Sequence, residues 1–162
     1  MKSRPSKIAD TEAIKNSFYR LLEEIVPREK HRFSGLGLLV YDSMSFDDLN
    51  SLSLRPSNAI SSSLFLGKQS TVDFLIDSAS IDSPTHDGFI FFNEKGLLTH
   101  ISQYFGPPPV KNIEPNEDYG TRYHAVWFGS YLEGVIIAGG ITSGNHYYIF
   151  EHGELKKTDA KK

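Results

Sequence analysis

The 162-residue sequence contains no cysteine, which excludes disulfides, thiolate-bound metals and a cysteine nucleophile. No apolar run approaches the ~20 residues needed to span a bilayer. The opening Met1-Lys2-Ser3-Arg4-Pro5-Ser6-Lys7 is basic but lacks the uninterrupted apolar stretch of a secretory signal. A cytoplasmic protein without a membrane span is the expectation. An excess of one charge is missing too. The 17 Lys+Arg against 20 Asp+Glu leave a formal net charge of −3, without the basic surplus that duplex nucleic acid demands, so direct nucleic-acid binding is not expected. Internal repeats, coiled-coil heptads, a Walker phosphate loop and a dinucleotide glycine fingerprint are likewise missing.

What is present is enough apolar material for one core. Hydrophobic residues make up 39% and aromatics 12% of the chain, and a chain of this length normally closes around a single core. From Asp10, which can cap, the residues Ile14, Phe18, Leu21, Leu22 and Ile25 form one helical stripe that Pro27 ends. The run Leu36 to Asp42 reads as a buried strand, and Arg28, Lys30, His31 and Arg32 before it read as a solvated linker. Ser43 to Lys68 shows weak periodicity, consistent with short strand and loop pieces. A second helix is predicted from Thr71 to about Ser80, with Ser70 as its cap.

Phe89 to Phe92, Asn93-Glu94-Lys95-Gly96 and Leu97 to Ile101 predict a hairpin with a glycine turn. A helix from about Thr121 to Leu132 follows, then a buried strand Gly134 to Ala138, a loop Gly139 to Asn145 and a strand Tyr147 to Phe150. Lys156 to Lys162 reads as a solvated tail. Helices alternating with strands predict an α/β domain, a mixed central β-sheet flanked by helices. The domain reading is a flexible N-terminus at 1–9, a helix and linker at 10–34, an α/β domain at 35–155 and a lysine-rich tail at 156–162.

Three segments carry the candidate chemistry. In Ser83-Pro84-Thr85-His86-Asp87-Gly88, Asp87 is suited to hold a divalent metal or take a proton from a hydroxyl, and Gly88 to admit a ligand close to the backbone. A strand-entry turn in which Asp87 caps local amides is the alternative. In Gly120-Thr121-Arg122-Tyr123-His124-Ala125, a helix amino terminus, a hydroxyl and a guanidinium suit phosphate, with His124 either a further donor or plain helix surface. Capping by Thr121 and a surface ion pair at Arg122 is the alternative there. Thr142 and Ser143, among three glycines in the loop after a buried strand, offer hydroxyls and amides to phosphate oxygens, or form a plain turn.

With these segments in this order, the chain resembles the diadenylate cyclase domain, the DisA-type nucleotide-binding domain that makes cyclic di-AMP. The likeness spans roughly Gly35 to Leu155. Members carry S-P-L-H-D-G-A where this chain has Ser83 to Phe89, and G-T-R-H-R-A where it has Gly120 to Ala125. The resemblance implies two ATP-loaded subunits facing each other as a homodimer or larger oligomer, each ribose 3′-hydroxyl attacking the opposite α-phosphate, with Mn2+ or Mg2+ assisting. It implies catalytic roles for Asp87 and Arg122, a metal ligand in Asp87, and nucleotide contacts from Gly88, Phe89, Thr121, Arg122, His124, Thr142 and Ser143. Phe89 replaces the family alanine, and Tyr123-His124 replace histidine and arginine. The family's S-E-E-T-G loop has no counterpart carboxylate, because this chain reads Gly139-Gly140-Ile141-Thr142-Ser143-Gly144. A nucleotide-binding sensor on the same fold, without turnover, is the alternative.

Overall fold

Alternation within β1 (Leu36–Tyr41) decides how the chain is layered. Leu36, Leu38 and Val40 enter one core and Leu39 and Tyr41 the other, so this strand is buried on both faces and must lie inside a sheet covered on two sides. The structure, a computed structural model, describes residues 3–55 and 63–159. It contains α1 (Ser3–Ile25), a 3-10 helix (Ser43–Leu49), β2 (Ser51–Ser53), α2 (Gln69–Ser78), β3 (Phe89–Asn93), β4 (Leu98–Phe105), α3 (Thr121–Gly129), β5 (Val135–Ile141), β6 (Tyr147–Glu151) and β7 (Glu154–Thr158). The seven strands form one sheet in the order β2-β4-β3-β1-β5-β6-β7. β1 and β3 are parallel, and the other described pairings are antiparallel.

The single α/β domain with a mixed sheet is therefore as expected. One face carries α1 and α2, with Phe18, Leu22, Ile25, Val72 and Leu75 packed on Leu38, Val40, Ile90 and Ile137. The opposite face carries α3 and the 3-10 helix over an aromatic-rich core of Phe91, Phe105, Tyr123, Tyr148 and Phe150.

Several element ends depart from the sequence reading. α1 begins at Ser3, so Asp10 lies inside the helix and does not cap it; Met1 and Lys2 of the expected flexible terminus lie outside the described residues. α2 begins at Gln69 behind Lys68, which makes no side-chain cap, so Ser70 has no capping role. α3 stops at Gly129. Lys156 and Lys157 belong to β7, and Lys157 pairs with Glu23 of α1, so the expected tail is an edge strand as far as Thr158; residues 160–162 lie outside the described residues. The linker cations are not all free: Arg28 pairs with Asp73 at 3.0 Å and Arg32 with Asp82 at 3.3 Å.

The largest difference is at Gly139-Gly140, expected in a loop. Both lie in β5, where Gly139 pairs with Leu38 and Ile149, and Gly140 with Gly37 and Tyr148. Two glycines read as a loop because they bring no side chain to the periodicity. Neighbouring strands supply the missing volume. A Cβ on Gly140 would overlap the Tyr148 hydroxyl and stand 2.6 Å from its Cζ and 2.9 Å from the Leu36 carbonyl oxygen.

Candidate functional site

The topology collects the candidate segments at one end of the sheet. β1 and β3 are parallel and begin there, at Leu36 and Phe89. β5 ends there, with Ile141 opposite Leu36, and β4 ends there at Phe105. Asp87 and Gly88, which enter β3, and Thr142 and Ser143, which leave β5, are thus delivered to the same end. The amino terminus of α3 joins them, because the Arg122 guanidinium lies against Gly35, just before β1, where a Cβ would overlap its Nη1.

Thr121, Arg122, Thr142 and Ser143 line one open cavity of about 310 Å³, together with Tyr119 and Tyr148. The two sequence segments that suited phosphate therefore share a site. Among the described residues no carboxylate pairs with Arg122. Thr142 Oγ1 accepts the His146 N–H at 3.1 Å, which leaves its own proton to donate. The first helical residue, Thr121, follows Gly120, which makes no side-chain cap, so the first-turn N–H groups of α3 are not capped by that residue. A half-buried guanidinium, three threonine and serine hydroxyls and a helix amino terminus, without a counter-anion among the described residues, favour an anion.

A second cavity of about 530 Å³ adjoins the first through Tyr119, Gly120 and Thr121, and is walled by Tyr104, Phe105 and Phe128. His124 lines it but is committed elsewhere. Its Nε2 accepts the Asn116 N–H at 3.0 Å, so Nδ1 carries the proton and donates it to the Gly120 carbonyl at 2.8 Å. Both ring nitrogens hold the loop before α3, and neither is left for a phosphate in this arrangement.

Asp87 and Phe89 stand apart from the anion cavity. Phe89 is 7% exposed and packs on Phe105, ring centroids 5.2 Å apart, in the space above Gly37; it fills core and leaves little ring to stack on a base. Gly88 has φ +83°, and a Cβ there would come within 2.8 Å of the Ser102 carbonyl carbon. Its glycine is thus required by β4, where Ser102 itself has φ 50°, whatever the ligand. Asp87 accepts a hydrogen bond from Arg55 Nη2 on Oδ2 at 3.1 Å, while its Oδ1 is buried without a partner.

Mn2+ or Mg2+ does not fit this donor set. Among the described residues no group of three or more His, Asp or Glu side chains gathers to hold an ion. Asp87 offers one unpartnered but buried oxygen beside a guanidinium, whereas hard divalent ions take about six oxygen ligands. The segment Gly139 to Gly144 brings no carboxylate, and the space above Gly140 is filled by the Tyr148 hydroxyl.

Sequence reasoning missed Arg55, Tyr119 and Tyr148. Arg55 sits in the weakly periodic stretch after β2 and offers no local signal. Tyr148 was legible only as a strand residue; that it stands opposite Gly140 and covers it is set by strand register.

No family model matches the sequence, and no curated protein does. Solved structures do. The crystal structure of DacA from Staphylococcus aureus, a double mutant, superposes with a TM-score of 0.59 at 16% identity, over 94% of this chain and 90% of that one. A hypothetical membrane spanning protein from Bacillus cereus gives 0.62 at 14% identity, over 90% of this chain and 63% of that one. Among the described residues no helix is long and apolar enough to cross a membrane. The chain has the DacA fold, a single mixed α/β domain.

Proposed function

We propose that the chain binds ATP or a related adenine nucleotide through its phosphates at Arg122, and acts as a nucleotide-binding sensor. The reading rests on one observation: Thr121-Arg122 and Thr142-Ser143, remote in sequence, line a single cavity in which Arg122 has no carboxylate partner among the described residues. The adjoining aromatic cavity has the chemistry to take the base. Isothermal titration with ATP in the presence of EDTA tests it. Arg122→Ala removes a charge-assisted contact worth about 1.5–3 kcal/mol, so the affinity falls about 10- to 100-fold. If no adenine nucleotide binds the folded protein or raises its melting temperature, the reading is wrong.

A second reading, condensation of two ATP into cyclic di-AMP, is favoured by the unpartnered Oδ1 of Asp87 at the same end of the sheet. Each 3′-hydroxyl would bond to the α-phosphorus of the nucleotide on a facing copy, pyrophosphate would depart, and the hydroxyl proton would pass to a carboxylate such as Asp87. The reaction needs a homodimer or larger assembly. Chromatography with mass detection after incubation with ATP and Mn2+ or Mg2+ decides between the two. Cyclic di-AMP made by the unaltered chain and not by Asp87→Ala establishes the cyclase; nucleotide binding without product leaves the sensor.

A further inference from the structure

Tyr148 is 2% exposed and lines the anion cavity beside Arg122, yet its hydroxyl makes no hydrogen bond to any described residue. The hydroxyl is not among the buried polar atoms left without a partner; it opens onto the cavity, where a bound ligand can take its hydrogen bond. Here the ring is held rigidly. Tyr123 packs edge-on at 4.8 Å and Tyr119 at 6.2 Å, and Gly140, its cross-strand partner, leaves the space in which the hydroxyl lies. Burial pushes the phenol pKa up, against a smaller opposing pull from Arg122, so the group stays neutral and keeps its proton. The result is a fixed O–H donor beside a guanidinium that pairs with no described carboxylate.

We infer that Tyr148 is a ligand-binding residue whose hydroxyl donates a hydrogen bond to a phosphate oxygen held by Arg122. The inference rests on the phosphate reading of this cavity and adds the residue that completes it. It also accounts for Gly140: any side chain there would displace the hydroxyl, so the glycine serves to seat Tyr148. A neutral donor and a guanidinium attract phosphate directly, without an acidic side chain and a bridging cation.

The test is Tyr148→Phe, which removes one oxygen and keeps the ring. ATP and inorganic pyrophosphate are each titrated in EDTA against the unaltered protein and the variant, and the melting temperature is measured without ligand. Affinity for both ligands is expected to fall about tenfold or more, as for loss of a hydrogen bond to a charged group. The unliganded melting temperature is expected to hold or rise, since the hydroxyl has no protein partner to lose. Affinities within twofold of the unaltered protein for both ligands overturn the inference. So does weaker ATP binding with unchanged pyrophosphate binding, which assigns the hydroxyl to the ribose or base. A fall in affinity matched by a fall in unliganded stability also overturns it, by making the role structural. If the unaltered protein binds neither ligand, the phosphate reading itself has failed. Gly140→Ala, checked for folding by the same melt, should weaken both ligands in parallel.

Discussion

Glu151 shows how much a single side chain can depend on remote partners. It ends β6 and accepts the Tyr19 hydroxyl at 2.7 Å on one oxygen and the Lys15 ammonium at 3.0 Å on the other, tying α1 to the sheet. Burial alone would raise its pKa, but the hydrogen bonds from Tyr19 and Lys15 and the lysine charge outweigh it and hold the carboxyl below its ordinary value. A folded-state pKa below the unfolded one means the unfolded chain binds more protons. The contribution to stability is therefore full above the unfolded pKa and is lost as pH falls through the folded one. Glu151→Gln should cost about 1–2 kcal/mol near neutral pH and flatten the acid limb of stability. Urea unfolding at a series of pH values checks it; an unchanged acid limb refutes it. Neither Tyr19 nor Lys15 could be assigned to Glu151 from the sequence, because no local pattern links them. The candidate site has the same character at this scale. Asp87, Thr121, Arg122, Thr142 and Ser143 stood out by type and order, whereas Arg55 and Tyr148 acquire their roles only by contact.

At the scale of elements, α1 was the most legible. The stripe Ile14, Phe18, Leu21, Leu22 and Ile25 is the face that packs, because a 3.6-residue period can only present one side to a sheet. Phe18 is fully buried and lies near Gly139, where a Cβ would stand 3.0 Å from its ring. Phe18→Ala should destabilise the fold by about 3–5 kcal/mol through lost burial and the cavity left behind. The midpoint of denaturant unfolding measures it; a loss below about 1 kcal/mol would mean that α1 does not depend on this side chain. The hairpin of β3 and β4 was legible for a similar reason, since Asn93 Oδ1 accepts the Lys95 and Leu97 N–H groups across the turn. β5 and β7 were not. Gly139 and Gly140, and the lysines of β7, resemble loop and tail in composition, and only the strands beside them supply the hydrogen bonds that extend the sheet.

For the molecule as a whole, the sheet serves both cores at once. Leu38 and Leu39, Ile90 and Phe91, and Ile149 and Phe150 are neighbours in the chain that belong to opposite faces. Neither layer of helices can leave without exposing a face of the same strands, so unfolding should be one cooperative transition. Trp127, the sole tryptophan, lies on α3 and donates its indole N–H to the Gly153 carbonyl at 3.1 Å, so its fluorescence follows one face while far-UV circular dichroism follows the whole chain. Coincident denaturation curves are expected; a separate tryptophan transition would make α3 an independently melting layer.

By itself the sequence determined the absence of thiol chemistry, the α/β class, the stripe of α1, the buried strands and the order of the two motifs, because composition and periodicity act over a few neighbouring residues. Only the tertiary structure decided that Thr121-Arg122 and Thr142-Ser143 share a cavity, that Asp87 is held by Arg55 apart from it, and that Tyr148 covers Gly140. The physical reason is common to all three. Each depends on strand order and register, which bring remote residues to one end of the sheet and leave no trace in the local spacing of either.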